Sequence, residues 1–155
     1  MAERIVELDP EYRPEAAISG EMLIQSDRRT FLLFNATKHN PESSLYEDVG
    51  RAVVEFIDCS VTKFGYPNDE AWAAIPRTTG LGYGCYEVFG GDWEAELVRL
   101  NRYKFPATRP RGQRHFLFLF HESSFECLAQ GYRMRRSNGP VAQTLAEITS
   151  LLLLD

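Results

Sequence analysis

The chain has 155 residues, of which 44% are hydrophobic, 12% aromatic and 25% charged, and this composition predicts one globular domain spanning residues 1–155. The first residues lack the apolar run of a secretory signal, and no window approaches about 18 consecutive apolar residues. We therefore expect a cytoplasmic protein that does not associate with membranes.

The net charge of −5 is unevenly distributed along the chain. Residues 1–96 carry 18 acids and 8 bases, whereas residues 97–155 carry 4 acids and 9 bases. The two halves could simply neutralise each other in the fold. Alternatively, an acidic pole and a basic pole would steer a charged partner toward the protein.

Three cysteines occur at wide spacing, without a C-x-x-C motif: Cys59, Cys85 and Cys127. This pattern does not predict a zinc site or a thioredoxin-type motif. Each lies in a strand-like run, where a free cysteine usually acts as a small buried hydrophobe. We expect no metal and no cofactor.

The first two thirds of the chain alternate between strand and helix signals. Apolar runs at 22–25 and 30–36, joined by Ser-Asp-Arg-Arg, predict a hairpin, and a β-branched run predicts a strand over 51–64. Asn68 or Asp69 is expected to cap a short helix that ends at Pro76. A strand follows at 83–89, and Asp92 is expected to cap a helix over 93–103, which carries an apolar stripe of Trp93, Leu97 and Leu100.

The last third predicts a hairpin and a closing helix. Strands at 114–121 and 125–134 are separated by Glu-Ser-Ser, and Ser-Asn-Gly-Pro at 137–140 begins a helix. The overall order predicts an α+β fold with a mostly antiparallel sheet of about six strands, and two or three helices packed on one face of it. The closing helix has an apolar stripe that either docks internally or forms a homodimer seam: Val141, Leu145, Ile148 and Leu152.

The run 115–121 has a histidine at each end of five apolar residues. Side chains alternate in a strand, so the phenylalanines at 116, 118 and 120 share one face. Six residues at about 3.3 Å each separate His115 from His121 by about 20 Å, which excludes a shared metal ion on a straight strand. The run is therefore interpreted as a core strand with a polar residue at each end.

A catalytic alternative centres on the end of this strand. His121 precedes Glu126 and Cys127, and a thiolate–imidazole pair oriented by a third group can serve as a nucleophile. These three residues are the candidate catalytic set for a small hydrolase or transferase. Tight hairpin pairing would place Cys127 away from His121, and Cys59 or Cys85 could take its place.

The segment 99–114 is the candidate anion-binding region. It contains six cations and two aromatic residues, a mixture that can hold phosphates and stack bases. The glycines at 80, 82 and 84 lack dinucleotide-binding spacing and precede a strand rather than a helix. The predicted anion-binding residues are Arg102, Arg109, Arg111, Arg114 and, if it folds beside them, Arg133.

Two stretches carry a family resemblance: Phe-Gly-Tyr-Pro-Asn-Asp-Glu-Ala at 64–71 and His-Phe-Leu-Phe-Leu-Phe-His-Glu-Ser-Ser-Phe-Glu-Cys at 115–127. They resemble segments of a family of small, uncharacterised bacterial proteins, in which the position of Glu122 is Asp or Glu. The resemblance implies a bacterial, cytosolic, single-domain protein, and it assigns no activity.

The leading functional hypothesis is a non-enzymatic protein-binding module of the immunity or inhibitor type. Its small size, acidic N-terminal part and many aromatic residues suit capture of a basic protein partner. The alternatives are a hydrolase or transferase that uses the 115–134 hairpin, and polyanion binding through residues 99–114. Nucleic acid is not favoured, because the whole chain is acidic.

Overall fold

The computed structural model describes residues 2–17 and 20–154, so Met1, Ile18, Ser19 and Asp155 lie outside the described part of the chain. Within these residues, the elements in chain order are β1 (Arg4–Glu7), β2 (Arg13–Pro14), β3 (Met22–Gln25), β4 (Thr30–Asn40), β5 (Leu45–Ile57), β6 (Val61–Gly65), α1 (Asp69–Ala74), β7 (Gly84–Phe89), α2 (Trp93–Asn101), β8 (Arg114–Leu119), β9 (Ser124–Ala129), β10 (Gly131–Ser137) and α3 (Val141–Leu152).

The strands form two antiparallel sheets. The first sheet has the order β1-β7-β8-β9-β6, and the second has the order β10-β5-β4-β2, with β3 also paired to β4. Both predicted hairpins are confirmed, since β3 pairs with β4 and β8 pairs with β9. The α+β class and the antiparallel pairing are likewise confirmed.

The largest apolar cluster lies between the two sheets. Phe34 and Phe56 of the second sheet contact Phe116, Phe118 and Phe125 of the first sheet, and all five side chains are almost completely buried. The rings of Phe56 and Phe118 are 5.5 Å apart in an edge-to-face arrangement. The predicted phenylalanine face of the strand near residues 115–121 is therefore the face that joins the sheets.

Helices cover the outer faces of both sheets. Trp72 of α1 packs on Leu117 and Leu119, which lie on the opposite face of β8 from the phenylalanines. In α2, Trp93 is buried, and its ring lies 5.1 Å from that of His115. Ile148 of α3 is fully buried against the outer face of the second sheet.

The prediction of a single sheet of about six strands with helices on one face was wrong. The run 51–64 is divided between β5 and β6, and the run 125–134 between β9 and β10, and each pair is split between the two sheets. Backbone bends make these crossings possible: Asp58 has a φ of +48° after β5, and the N–H of Gln130 donates to Ile57 O at 2.8 Å.

The closing helix α3 docks internally through Thr144 and Ile148, which are both fully buried. Leu153 and Leu154 beyond its end are 79% and 61% exposed. Among the helices in residues 2–17 and 20–154, none has the length and apolar character needed to cross a membrane.

Candidate functional site

The end of β8 carries a cluster of three polar side chains. His121 Nδ1 lies 2.7 Å from Asp69 Oδ2, and the Tyr83 hydroxyl donates to the same carboxylate oxygen at 2.6 Å. The backbone N–H of Asp69 also donates to His121 O at 3.0 Å, which fixes the start of α1 at the strand end. The two stretches with the family resemblance therefore meet at Asp69 and His121.

The hydrogen bonds in this cluster stabilise the charged forms of Asp69 and His121 and keep Tyr83 neutral. Hydrogen bonds from Tyr83 and then His121 lower the pKa of Asp69. The hydrogen bond between His121 and Asp69 raises the pKa of His121. The hydrogen bond between Tyr83 and Asp69 raises the pKa of Tyr83 to about 12. The second ring nitrogen of His121, Nε2, lies 3.2 Å from Glu122 Oε1, so both nitrogens face carboxylates. This arrangement favours an imidazolium over a free base.

A nucleophile does not accompany His121. Among the described residues, no serine, threonine or cysteine side chain hydrogen-bonds to its ring, and the neighbouring Ser123 hydroxyl donates to Glu21 at 3.3 Å instead. General base catalysis through His121 requires a free nitrogen within reach of the proton to be removed. The observed geometry is that of a clamp between α1 and β8.

Glu126, predicted to act with His121, lies at another place on the outer face of the first sheet. Its Oε1 is 2.8 Å from His115 Nε2 and accepts from Arg77 Nη2 at 2.7 Å. Burial alone would raise the pKa of Glu126, but the contacts with His115 and Arg77 lower it to about 2. This carboxylate is charged and held in an ion-pair network, which does not suit a general acid.

Cys127, the third predicted catalytic residue, lies on the inner face of the first sheet and is fully buried. It is opposite Phe116 in the β8–β9 ladder, five residues from His121, which corresponds to about 17 Å along the strand. Its side chain belongs to the apolar cluster between the two sheets. The structure thus places the three candidate catalytic residues at three separate sites.

The predicted anion-binding arginines divide into two groups. Arg102, Arg109 and Arg111 lie together in the segment between α2 and β8, and Arg109 and Arg111 line one pocket. Arg114 donates through Nη2 to Glu87 at 3.1 Å, and Arg133 donates to Glu55 at 2.9 Å in the other sheet. Both of the latter guanidinium groups are engaged by carboxylates.

Residues 99–111 form the most unusual surface of the described chain. Within residues 2–17 and 20–154, none of its five cationic side chains lies within ion-pair distance of a carboxylate. Three large apolar side chains are exposed beside them: Leu100 at 51%, Tyr103 at 85% and Phe105 at 59%. We call this set the basic–aromatic surface: Arg99, Leu100, Arg102, Tyr103, Lys104, Phe105, Arg109 and Arg111.

Internal hydrogen bonds hold this surface in shape. The Asn101 amide donates to the Thr108 hydroxyl at 2.8 Å, and Arg102 Nε donates to Thr108 O at 2.9 Å. Farther along, Glu94 Oε1 accepts from the backbone N–H groups of Arg111 and Gln113 at 2.9 and 3.2 Å. The irregular segment is therefore fixed to α2 at both ends.

A pocket of about 520 Å³ opens between α2 and this segment. One wall is apolar, formed by Leu97, Val98 and Leu100, and the opposite side carries Arg109 and Arg111. An elongated ligand with an apolar group and a negative charge matches such a lining.

Sequence reasoning missed two features of these sites. Asp69 and Tyr83 were not identified as partners of His121, and the only local signal was the position of Asp69 at a predicted helix start. The predicted apolar stripe of α2 gave no sign of a pocket, yet of its three residues only Trp93 is deeply buried, whereas Leu97 and Leu100 line the pocket.

No protein-family model, curated protein or solved structure matches the chain. In the described ranges 2–17 and 20–154, no group of three or more histidine, cysteine, aspartate or glutamate side chains is arranged to hold a metal ion.

Proposed function

We propose that this protein is a non-enzymatic binding module of the bacterial cytosol, which captures an acidic segment of a protein partner through the basic–aromatic surface. The observation that carries the proposal is the combination, on one ordered segment, of three exposed apolar side chains and five cations that have no carboxylate partner among the described residues. Exposed aromatic and arginine side chains are the groups enriched at the energetic centres of protein interfaces.

Charge favours an acidic partner over the basic one that the composition alone indicated. Several acids of the N-terminal part are already paired within the molecule: Glu7 and Asp9 with Arg13, Glu11 with Lys38. Within residues 2–17 and 20–154, the cations of the basic–aromatic surface have no such partners. A negatively charged segment would therefore gain interactions there without displacing an existing ion pair.

The order of the surface also supports binding. Because hydrogen bonds to Thr108 and Glu94 already fix the segment, little conformational entropy is lost when a partner docks. The pocket beside it has room for an apolar side chain of the partner, next to Arg109 and Arg111, which would contact neighbouring acids.

The alternative of a small hydrolase or transferase draws support from one observation, the 2.7 Å contact between Asp69 and His121. An aspartate that orients a histidine is a common part of catalytic sites. The absence of an adjacent nucleophile in the described residues, and the second carboxylate at Nε2, make it the weaker proposal.

The proposal is tested by selecting peptides from a random display library on the wild-type protein. We expect the enriched peptides to contain several Asp or Glu residues around one aliphatic or aromatic residue. The variant Lys104→Gln/Arg109→Gln removes two cations whose side chains form no hydrogen bond or ion pair within the described residues, and it should bind the enriched peptides about threefold to thirtyfold more weakly.

The matched control is Arg4→Gln/Arg136→Gln, which removes the same charge at two exposed positions outside the surface. It should bind the peptides like the wild type. Enrichment of basic peptides, equal binding to both variants, or tighter binding of a single-stranded oligonucleotide than of any selected peptide would overturn the proposal.

A further inference from the structure

The far end of the β4–β5 hairpin extends beyond the strands that flank it. In the second sheet, β10 pairs with β5 only over residues 51–57, and β2 pairs with β4 only up to residue 37. Among the described residues, no third strand lies beside residues 38–48, and every residue from 41 to 48 is exposed. We call residues 38–48 the acidic hairpin arm.

The acidic hairpin arm combines exposed apolar side chains with acids that are not paired with cations. Leu45 is 65% exposed and Tyr46 is 55% exposed. The arm has three acids: Glu42, Glu47 and Asp48. Within residues 2–17 and 20–154, none of these acids lies within ion-pair distance of a cation. The lysine of the arm, Lys38, is already paired with Glu11 at 3.2 Å.

Hydrogen bonds within the hairpin hold the arm in shape. The N–H of Ser44 donates to Asn40 O at 2.8 Å, and the Asn40 amide donates to Glu47 Oε1 at 2.8 Å. The Asp48 carboxylate accepts from the N–H of Gly50 at 2.8 Å. Because the arm is already ordered, its docking on another surface loses little conformational entropy.

The acidic hairpin arm and the basic–aromatic surface lie at opposite ends of β5. The arm includes the start of β5, whereas the segment with the basic–aromatic surface is bonded to residues that follow its end. Arg111 Nη1 donates to Ser60 Oγ at 3.2 Å, and Gln113 Nε2 donates to Asp58 O at 2.6 Å. The 13 residues of β5 span about 40 Å. The arm is therefore too far from the basic–aromatic surface of its own chain to contact it.

We propose that the partner of the basic–aromatic surface is a second copy of this chain, whose acidic hairpin arm docks on it. The inference rests on the proposed function, because it names the acidic segment that the surface captures. Three acids without a cation partner would meet five cations without a carboxylate partner, as counted among the described residues. Opposite charges on the two patches favour their association and fix its orientation.

The apolar side chains of the two patches also match. Leu45 and Tyr46 adjoin the acids of the arm, and the pocket of about 520 Å³ has an apolar wall next to Arg109 and Arg111. Leu45 of one copy would fill this pocket in the other, with its neighbouring acids beside the two arginines. Because the arm and the surface are different patches, two copies can bind each other reciprocally or associate head to tail.

Sedimentation equilibrium of the wild type from about 10 µM to about 1 mM measures the association. We expect a mass above that of one chain at the top of this range, and the mass of one chain in about 0.5 M salt. The arm variant Glu42→Gln/Glu47→Gln should associate about threefold to thirtyfold more weakly, and Leu45→Ser, which changes no charge, about tenfold more weakly. The matched control Glu70→Gln/Glu147→Gln removes the same charge at two exposed positions outside the arm and should associate like the wild type.

The sharpest sample is an equal mixture of the arm variant with Lys104→Gln/Arg109→Gln. The arm variant keeps an intact basic–aromatic surface, and the other protein keeps an intact arm. One unaltered contact is therefore possible only between the two different proteins, and the mixture should associate more strongly than either protein alone.

Two results would overturn the self-association: a wild type that keeps the mass of one chain up to about 1 mM, or a mixture no more associated than its two components. The peptide selection tests the basic–aromatic surface separately. Selected acidic peptides that bind a monomeric wild type would overturn the self-association and leave the proposed function standing. Failure of both experiments would overturn both proposals.

Discussion

Replacement of Glu126 by glutamine removes the charge at the centre of the network on the outer face of the first sheet. The carboxylate is 16% exposed and contacts His115 and Arg77 at 2.8 and 2.7 Å. Arg77 also donates to Glu3 at 2.6 Å, which ties the residue before β1 to the sheet. Glutamine keeps the size of the side chain, so the change tests charge rather than packing.

The expected magnitude follows from the pKa of Glu126. Lowering this pKa from 4.5 to about 2 corresponds to about 3 kcal/mol of stability at neutral pH. Because the pKa is lower in the folded state, the contribution is complete above about pH 5 and is lost as the pH falls toward 2. Since Arg77 keeps Glu3 as a partner, we expect Glu126→Gln to cost about 2 kcal/mol at pH 7.

Urea denaturation of the wild type and of Glu126→Gln at pH 7, 5 and 3 measures this cost. The difference between the two proteins should shrink as the pH falls, since the wild type loses the same contribution by protonation. Glu42→Gln is the matched control, because Glu42 is exposed and its carboxylate has no partner in the described residues. A cost below about 0.5 kcal/mol at pH 7, typical of an exposed pair, would show that the Glu126 network does not stabilise the fold.

Two further predictions concern the core and the histidine clamp. Phe118→Ala should destabilise the fold by about 3–5 kcal/mol, because its ring is fully buried between the sheets, whereas Phe105→Ala should change stability by less than about 0.5 kcal/mol in the same denaturation assay. Asp69→Asn should lower the pKa of His121, which NMR titration of the ring protons measures. In the wild type, the contact stabilises the fold at low pH, and this stability is lost as the pH rises through the raised pKa of His121. The variant should lack this stability at every pH. An unchanged His121 pKa would show that Asp69 does not hold the imidazolium.

The two faces of β8 were predictable because strand periodicity is a local property. Alternation alone assigned the phenylalanines to one face and Leu117 and Leu119 to the other, and the structure buries the first set between the sheets and the second under α1. One of the two predicted caps is confirmed, since Asn68 Oδ1 accepts from the N–H of Ala71 at 3.3 Å. Asp92 does precede α2, but its side chain makes no capping hydrogen bond.

The division into two sheets was not predictable from the same patterns. The runs 51–64 and 125–134 carry apolar residues on both sides of their bends, so each pattern predicts one continuous strand. The bend after β5 uses Asp58 with a positive φ rather than a glycine, so the usual composition signal is missing. Gly131 was the one local hint that the second run is divided.

The candidate sites depend on contacts between distant segments, which one sequence does not reveal. Tyr83 and Asp69 lie 38 and 52 residues from His121, and only the folded sheet brings them together. The basic segment was recognisable from its composition. The sequence did not reveal that its cations lack carboxylate partners within the described residues. Arg114 and Arg133 are arginines of the same predicted anion-binding set, yet both are paired with glutamates.

The proposed binding role is tested most directly by backbone amide chemical shifts of the labelled protein during titration with the most strongly selected acidic peptide. We expect the largest changes to fall within residues 93–113, and a rise in salt concentration to about 0.5 M should reduce them at equal peptide concentration. Changes centred on the β4–β5 hairpin or on residues 115–124, with residues 93–113 unaffected, would contradict the assignment of the basic–aromatic surface as the binding site.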